Sequence, residues 1–453
     1  MIPAVEVGEA RVFLGDCREI LRGLADNSVD SVVTDPPYEL GFMGKKWDST
    51  GIAYDVTVWE ECLRVLKPGG HVLAFGGSRT WHRMAVAIED AGFEIRDSIA
   101  WMYGSGFPKS LNVSKAIDKA AGAEREVVGL KPYSSAKMQA GDSHVGNYGA
   151  ERIIGEISMA HTPQAQQWEG WGTALKPAFE PIVVGRKPFA KGSTVAQNVL
   201  EWGVGGLNID GSRIGAQGGT KDSNFDDTSE PPRNSWNASK VQSSALHKGT
   251  TEALGQGRWP ANVILDEYSA GLLDEQSGVL TSGALKPHVK KAGPNKPHVK
   301  DFMNGMEGKL NTAESPANSG GASRFFYCAK ASKRDRNEGL GDLPDNVVGS
   351  FFGNFEVPGN KIGANPDIPN QPGKNTHPTV KPTTLMRYLI KLVTPAGGTV
   401  LDPFTGSGST GKAALLNGYK FVGAELTEEY LPIIEGRLKW ALQQQSENGG
   451  KLF

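Results

Sequence analysis

The stretch Val29-Asp30-Ser31-Val32-Val33-Thr34-Asp35-Pro36-Pro37-Tyr38 organises this chain. Its first six residues form a mostly apolar, β-branched run, which favours a buried strand. The two prolines cannot donate hydrogen bonds to a sheet, and each biases the residue before it away from helical geometry. The chain must therefore leave the sheet in an extended loop that presents a carboxylate, a proline carbonyl and an aromatic ring together.

These three groups suit a planar nucleobase that carries an exocyclic amine. The carboxylate of Asp35 and the carbonyl of Pro36 can accept the two N–H bonds of the amine, and the ring of Tyr38 can stack on the base. The structural alternative is a Pro-Pro turn capped by an aspartate. The tetrapeptide alone supports the two interpretations about equally.

A second pattern lies far downstream. The stretch Val400-Leu401-Asp402-Pro403-Phe404-Thr405-Gly406-Ser407-Gly408-Ser409-Thr410 is typical of a strand, a glycine-rich turn and a helix start. The next strand, Phe421 to Ala424, ends in Glu425. Glycines at such a turn let a ligand approach the backbone, and an acid about 20 residues further on can bind both hydroxyls of a ribose. The turn differs from the dinucleotide fingerprint, because Asp402-Pro403-Phe404 precede Gly406 and Gly408.

Taken together, these segments resemble the S-adenosylmethionine-dependent amino-methylating DNA methyltransferases, in the circularly permuted arrangement called the β group. In that group the catalytic tetrapeptide lies near the N-terminus, the target-recognition region in the middle and the cofactor loop near the C-terminus. Gly15-Asp16-Cys17 after a short strand and His377-Pro378-Thr379-Val380-Lys381-Pro382 before a helix also stand in the right order. The resemblance covers residues 11–103, 174–188 and 375–440.

The resemblance implies the site residues and the cofactor, S-adenosylmethionine. It assigns catalysis to Asp35, Pro36, Pro37 and Tyr38, and implies no metal. It assigns cofactor binding to Asp16, Cys17, Lys381, Asp402, Pro403, Phe404, Gly406, Gly408 and Glu425. Asp16 would contact the adenine amine of the cofactor, or cap the following helix, or do both. Lys381 would contact the carboxylate of the cofactor, and Thr379 could cap the helix Thr383 to Val393.

The family also bears on the substrate, double-stranded DNA. Aspartate at the first position of the tetrapeptide is commoner among adenine-N6 enzymes, and serine is typical of cytosine-N4 enzymes. We therefore expect methyl transfer to N6 of adenine after base flipping, with N4 of cytosine as the alternative. Methylation of RNA or of a glutamine amide is a further alternative, although the related tetrapeptide there usually begins with asparagine. A non-catalytic nucleic-acid-binding subunit and a nicotinamide oxidoreductase are the remaining alternatives, and the oxidoreductase leaves Asp35 to Tyr38 unexplained.

Composition sets outer limits on the protein class. The chain has 453 residues, enough for one large catalytic domain and an inserted unit. Its formal net charge of -2 argues against a globally basic nucleic-acid binder and permits a local basic cleft. Three cysteines without metal-like spacing suit a reducing cytoplasm, and we find no signal peptide or apolar span of membrane length. A homodimer is an open possibility, and no partner restriction endonuclease is identified.

Alternation of strand and helix patterns predicts an α/β fold. We expect a doubly wound, mostly parallel, Rossmann-like methyltransferase sheet with an antiparallel hairpin and a large irregular insert. The predicted organisation is a catalytic half (1–103), an inserted arm (104–172), a returning strand (173–190), a candidate target-recognition region (191–374) and a cofactor-binding half (375–453). The returning strand would pair antiparallel with Glu94 to Trp101 as the last hairpin of the sheet.

Three basic segments are candidate phosphate contacts. Lys45, Lys46 and Trp47 lie in a loop that either closes over the base or is simply solvated. The repeat of Lys286 to Lys290 at Lys296 to Lys300 is either a phosphate-contacting tether or a solvated linker. Arg324 to Arg336 combines aromatics with a basic cluster, which either contacts nucleic acid or forms a buried strand and an exposed basic turn.

Overall fold

The computed structural model describes residues 1–41, 46–104, 110–132, 153–215, 257–282, 318–329, 333–341, 343–344, 346–347, 356–357, 360–361 and 372–447. The internal repeat at 286–300 and Lys45 lie outside the described residues, and so does the side chain of Lys46. Their roles stay predictions. No helix in the described ranges is long and apolar enough to cross a membrane.

The strands are numbered in chain order. They are β1 (Val5–Val7), β2 (Ala10–Leu14), β3 (Val29–Thr34), β4 (Leu66–Phe75), β5 (Glu94–Met102), β6 (Val127–Pro132), β7 (Ile153–Ser158), β8 (Phe179–Arg186), β9 (Val263–Asp266), β10 (Leu280–Ser282), β11 (Asn318–Gly320), β12 (Tyr327–Ala329), β13 (Asn346–Val347), β14 (Glu356–Val357), β15 (Asn360–Lys361), β16 (Pro372–Gly373), β17 (Thr399–Asp402) and β18 (Lys420–Glu425).

The helices follow the same numbering. They are α1 (Cys17–Arg22), α2 (Val56–Val65), α3 (Trp81–Asp90), α4 (Val113–Ala120), α5 (Pro163–Gln167), α6 (Val195–Trp202), α7 (Glu267–Ser277), α8 (Lys333–Asn337), α9 (Thr383–Val393), α10 (Ser409–Leu416) and α11 (Leu431–Glu447).

A ten-stranded sheet in the order β1-β2-β18-β17-β3-β4-β8-β5-β9-β12 forms the framework. Neighbouring strands from β2 to β4 are parallel, β8 is antiparallel to β4 and β5, and β9 and β12 continue parallel to β5. Helices α1, α2 and α3 contribute to the apolar core on one face of the sheet, and α9, α10 and α11 to the core on the other. The predicted doubly wound, mostly parallel α/β fold with an antiparallel hairpin is confirmed.

The returning strand pairs with β5 as predicted, with Phe179 opposite Met102. The expectation that this hairpin ends the sheet is wrong, because β9 and β12 extend it. Both strands come from the region predicted to be irregular and target-recognising. They are only four and three residues long, and such short apolar segments carry little periodicity from which to predict their partners.

Strands β3 and β17 are neighbours although most of the chain separates them. Val400 pairs with Ser31 and Leu401 with Val32. Asp30 is buried beneath this junction, where its carboxylate accepts hydrogen bonds from Lys67 Nζ at 2.6 Å and the Thr399 amide at 2.7 Å. Its two oxygens therefore tie β3 to both adjacent strands. The strand before Asp35 and the strand before the glycine-rich turn therefore lie side by side in the sheet.

Residues Ser105–Ala178 form a separate compact unit, and the remainder of the described chain forms the other. The smaller unit contains α4, α5 and the antiparallel pair β6–β7. Asp118 lies buried in it, accepts hydrogen bonds from the Thr162 amide and Oγ1, and pairs with Arg125 at 2.8 Å. This carboxylate joins α4 to the segment that begins α5.

Candidate active site at the strand ends

Apart from Lys381, the residues predicted to form the site lie at or just after the carboxyl ends of β2, β18, β17 and β3, which are consecutive parallel strands. The Gly15 amide donates to the carbonyl of Glu425 at 2.8 Å, which joins the first two strand ends. Thr34 Oγ1 donates to Asp402 Oδ1 at 2.6 Å, which joins the last two. The sheet therefore presents the acid of the tetrapeptide beside the glycine-rich turn.

Asp35 follows β3 with its two carboxylate oxygens in different surroundings. Oδ2 accepts a hydrogen bond from Lys381 Nζ at 2.7 Å. Oδ1 is buried and has no hydrogen-bond partner among the residues that the structure describes. Since an unpaired buried acceptor is costly in a folded protein, Oδ1 is the acceptor in this pocket for which a donor from outside the chain is expected.

Tyr38 is held at both ends after the two prolines, Pro36 and Pro37. Its hydroxyl donates to Glu180 Oε2 at 2.9 Å, and its carbonyl accepts from Thr80 Oγ1 at 2.9 Å. Gly77 lies under the ring: a Cβ there would come within 3.2 Å of Tyr38 Cδ2. Burial, together with the nearby carboxylates, raises the pKa of the hydroxyl well above its usual range. The phenol therefore stays protonated and acts as a donor.

Lys381 lies in the acid pocket. Its ammonium is 2.7 Å from Asp35 Oδ2, 3.3 Å from Glu180 Oε2 and 3.2 Å from the Tyr38 hydroxyl. Burial disfavours its charge, but the two carboxylates outweigh that effect and raise its pKa. Glu180 was not among the predicted site residues, because nothing in the apolar run that contains it marks it as functional.

Asp402, at the end of β17, is a fully enclosed carboxylate. It accepts hydrogen bonds from Thr34 Oγ1 and Thr410 Oγ1 at 2.6 Å each and from the Phe404 amide at 3.0 Å. Burial raises its pKa to about 6 in spite of these donors. Asp402 thus fixes the shape of the turn through Pro403 and Phe404 and links it to β3.

The turn itself requires glycine. Gly406 and Gly408 have φ angles of 54° and 75°, in the left-handed region that disfavours other residues. A Cβ on Gly406 would lie 3.0 Å from His377 Nε2. Behind the turn, buried Arg437 of α11 donates to the Ser407 carbonyl at 2.8 Å and to Ser409 Oγ at 3.0 Å. Arg437 therefore supports the turn, and glycine at 406 and 408 avoids crowding against His377 and Ile434.

Glu425 closes β18 beside this turn. Its carboxylate accepts hydrogen bonds from the Gly406 amide at 2.7 Å and the Thr427 amide at 2.8 Å. Burial raises its pKa to about 7. A carboxylate in this position can change its charge near neutral pH or accept further donors when ionised.

Asp16 caps α1, which is one of its two predicted roles. Its side chain accepts from the Arg18 amide at 2.9 Å and pairs with the Arg18 guanidinium at 2.6 Å. Cys17 is buried, and burial raises the pKa of its thiol to about 12, so the thiol is not a reactive nucleophile. The predicted cofactor contacts of these residues stay predictions.

The expectation that Thr379 caps α9 is wrong. The side chain of Asp335 performs that role by accepting from the Thr383 amide at 2.7 Å, whereas the Thr379 carbonyl lies 2.6 Å from His377 Nδ1. Asp335 belongs to a segment 48 residues away in the sequence, so no local motif could have identified it. Trp47, in the loop after the tetrapeptide, stacks on His377 at a centroid distance of 6.3 Å.

The segment beginning at Arg324 combines a buried strand with internal contacts. Arg324 is buried and donates to the carbonyls of Gly320 and Gly321. The guanidinium groups of Arg258 and Arg324 stack on Phe325, which precedes β12. β12 is parallel to β5. The cluster precedes β12, so it lies at the end of the sheet where the parallel strands begin, whereas Asp35 lies at the end where they finish. These contacts favour the buried-strand interpretation for the aromatic part of the segment.

Several curated proteins are similar to parts of this chain. Type II methyltransferase M.HindIII of Haemophilus influenzae is 28% identical over 33% of this chain and 36% of its own length. Type II methyltransferase M.HpaI of Haemophilus parainfluenzae is 30% identical over 24% and 37%. DNA adenine methyltransferase YhdJ of Escherichia coli K12 is 40% identical over 17% and 26%. The chain thus spans between about a quarter and a little more than a third of the length of these relatives.

Solved structures were also compared with the chain. A DNA modification methylase from Thermus thermophilus, complexed with S-adenosyl-L-methionine, is 15% identical over 96% of this chain and 94% of its own, with a TM-score of 0.35. The cytosine-N4-specific PvuII DNA methyltransferase is 12% identical over 96% and 88%, with a TM-score of 0.39. The model of the N6/N4 DNA methylase family matches residues 29–436. This match includes β3, β17 and most of the sequence. The chain belongs to the N6/N4 DNA methylase family.

Proposed function

We propose that this chain transfers a methyl group from S-adenosylmethionine to the exocyclic amine of a base in double-stranded DNA, with N6 of adenine as the favoured acceptor. The observation that carries the proposal is the buried Oδ1 of Asp35, which has no hydrogen-bond partner among the described residues and follows β3, the strand beside β17 and its glycine-rich turn. An acceptor of this kind fits the hydrogen of an amine. We infer a cytoplasmic enzyme, in keeping with its DNA substrate.

The residues beside the turn fit the proposed cofactor. The left-handed Gly406 and Gly408 leave room for close approach to the backbone, Glu425 offers a carboxylate to ribose hydroxyls, and Asp16 offers one to an adenine amine. Lys381, which the resemblance assigns to the carboxylate of the cofactor, is already engaged by Asp35 and Glu180; we propose for it a role in the acid pocket. When bound, S-adenosylmethionine supplies an electrophilic methyl group.

The chain's own residues activate the amine. The lone pair of an aromatic amine is delocalised into the ring, so the nitrogen is a poor nucleophile. Asp35 Oδ1 and the Pro36 carbonyl accept its two hydrogens and return electron density to the nitrogen. The nitrogen becomes cationic in the transition state, and the adjacent carboxylate stabilises a charge that is absent from the ground state. Tyr38 stacks on the flipped base and replaces part of the stacking lost from the helix.

Adenine is favoured over cytosine on two grounds. Asp35 occupies a position where aspartate is commoner among adenine-N6 members of the resembling group. A relative of this chain, YhdJ of Escherichia coli K12, is described as a DNA adenine methyltransferase. N4 of cytosine is the alternative, since its amine presents the same two hydrogens to Asp35 and Pro36.

The test of the proposed function is the variant Asp35→Ala. With tritiated cofactor and duplex DNA, we expect wild-type protein to produce N6-methyladenine on nucleoside analysis and the variant to lose transfer. Calorimetry should show that the variant still binds S-adenosylmethionine, because the glycine turn is intact. Asp90→Ala, an exposed change at the end of α3, is the matched control. Full activity of Asp35→Ala would refute the assignment, and N4-methylcytosine as product would select the alternative base.

A further inference from the structure

Four side chains form a closed polar network at the catalytic edge of the sheet: Asp35, Tyr38, Glu180 and Lys381. The Lys381 ammonium contacts both carboxylates and the Tyr38 hydroxyl, at 2.7, 3.3 and 3.2 Å. The Tyr38 hydroxyl donates to Glu180 at 2.9 Å. The three N–H bonds of the ammonium are thus matched by three acceptors, while Asp35 Oδ1 receives no donor from the described part of the chain.

Glu180 reaches this network from the antiparallel strand. It is the second residue of β8 and stands opposite Trp101 of β5. Its side chain is 18% exposed, and Phe75 of β4 packs against the same network, with its ring centroid 5.0 Å from Lys381 Nζ. A carboxylate in such apolar surroundings is unfavourable unless it is paired. The two hydrogen bonds that Glu180 accepts, from Lys381 and from Tyr38, explain why a carboxylate is tolerated here.

The network holds one cation and two anions. Tyr38, Tyr103, Asp35 and Lys381 are the titratable groups that interact with Glu180, and both tyrosines stay neutral because burial raises their pKa. Two carboxylates and one ammonium leave a net charge of one negative. Without Glu180, Lys381 would neutralise Asp35 alone, and the pocket would have no excess negative charge to stabilise a cationic amine.

We propose that Glu180 is a positioning residue for methyl transfer: it shares the Lys381 ammonium and anchors the Tyr38 hydroxyl, which leaves Asp35 Oδ1, an oxygen without a partner among the described residues, to accept from the amine. This inference rests on the proposed function. In the reaction, the bond from the amine nitrogen to the methyl carbon forms as the bond from sulfur to that carbon breaks. The electron pair stays on sulfur, and the cationic amine gives up one proton to Asp35 Oδ1. Glu180 touches neither reacting atom and acts through Lys381 and Tyr38.

A dependence on pH accompanies the network. Burial raises the pKa of Glu180, so its charge is lost as pH falls through that raised pKa. The net charge of the pocket then falls to zero, and the rate of methyl transfer should fall with it. A variant with a neutral residue at position 180 should lack this part of the acid limb of the pH profile.

The test is Glu180→Gln in the full-length chain, with duplex DNA and S-adenosylmethionine as substrates. We expect kcat to fall by about 10- to 100-fold, the range found for side chains that hold a metal ligand in its orientation and so act, like Glu180, through another residue. Cofactor affinity by calorimetry should stay within about twofold, since Glu180 does not contact the glycine turn. The decrease of kcat at acidic pH should be smaller in this variant than in the wild type. Glu89→Gln, an exposed change on α3, serves as the control.

Glu180→Asp is the second variant, because it keeps the charge and shortens the reach to Tyr38. We expect its kcat to lie above that of Glu180→Gln, and its KM for DNA to exceed that of the wild type. Equal kcat values for the two variants, a wild-type kcat and pH profile in Glu180→Gln, or loss of cofactor binding in both overturns the proposal. If the wild type itself does not methylate DNA, the proposed function fails instead, so the two failures are distinguishable.

Discussion

Glu425 illustrates how single carboxylates in this site are tuned by burial. It is 7% exposed, and burial raises its pKa from the ordinary value of 4.5 to about 7, although two backbone amides donate to it. Asp402, on the next strand, has a pKa of about 6 for the same reason. The pKa values of both carboxyl groups therefore lie close to physiological pH.

The Glu425 shift predicts a pH dependence of stability. Between about pH 4.5 and 7, Glu425 in the folded protein keeps a proton that it has lost in the unfolded chain. Its contribution to the free energy of unfolding is therefore complete below pH 4.5 and is lost as pH rises through 7. Glu425→Gln removes the titration. Denaturant unfolding at a series of pH values should show the free energy of unfolding of the wild type falling relative to the variant across this window. Parallel curves for the two proteins would contradict the shift.

At the residue scale, motif residues were predictable and their partners were not. Asp35 and Asp402 were identified because proline and glycine constrain the backbone around them in a recognisable way. The Lys381–Asp35 pair joins residues 346 positions apart, and Glu180 sits in an apolar strand without a motif. Such pairs depend on strand order in the sheet, which local sequence does not encode.

At the element scale, α11 supports the glycine turn through Arg437. The guanidinium is fully buried and donates to the Ser407 carbonyl, Ser407 Oγ and Ser409 Oγ. It also lies 3.9 Å from Asp335, which caps α9 and pairs with Lys412 of α10. One buried network therefore connects α8, α9, α10 and α11 to the turn.

Arg437→Met should damage this arrangement. Methionine fills similar space but leaves the acceptors of the turn without a buried donor, so we expect the free energy of unfolding to fall by roughly 3 kcal/mol. Cofactor affinity should also weaken, because the turn loses its support. Thermal unfolding and calorimetry measure the two effects.

The control for this variant lies two residues along the same helix. Lys439 is 64% exposed and pairs with Glu435, so Lys439→Met should change stability by less than about 0.5 kcal/mol. If the two methionine variants behave alike, the buried network does not support the turn.

Elements with strong local patterns were predictable from sequence. The helix α9 spans Thr383–Val393, the predicted bounds, directly after the proline-flanked motif that ends at Pro382. In contrast, the places of β9 and β12 in the sheet were not predicted, because three or four residues cannot specify a partner strand. Their place in the sheet depends on pairing between distant segments: β9 pairs with β5, and β12 pairs with β9.

At the scale of the whole molecule, the smaller unit is inserted between two strands that pair directly. Met102 of β5 and Phe179 of β8 are register partners, and residues 105–178 form the unit between them. A short hairpin loop can therefore connect β5 directly to β8.

We expect the larger unit to fold without the insert. Replacing residues 105–178 by Asn-Gly should give a chain that unfolds cooperatively and binds S-adenosylmethionine within about threefold of the wild type, since its core lies in the ten-stranded sheet. A control that also removes β8 should not fold, because β4 and β5 lose their common neighbour. An insoluble product of the first deletion would show that the insert is needed for folding.

The pairing of β3 with β17 has a consequence for protein synthesis. β17 occupies the middle of the sheet, between β18 and β3, yet its residues leave the ribosome hundreds of positions after those of β3. Until then the nascent chain carries an open strand edge that other chains can occupy. A ribosome that stalls before residue 399 releases a product with the acid and the paired prolines but no turn beside them. Translation must therefore pass β17 before the two halves of the pocket can come together.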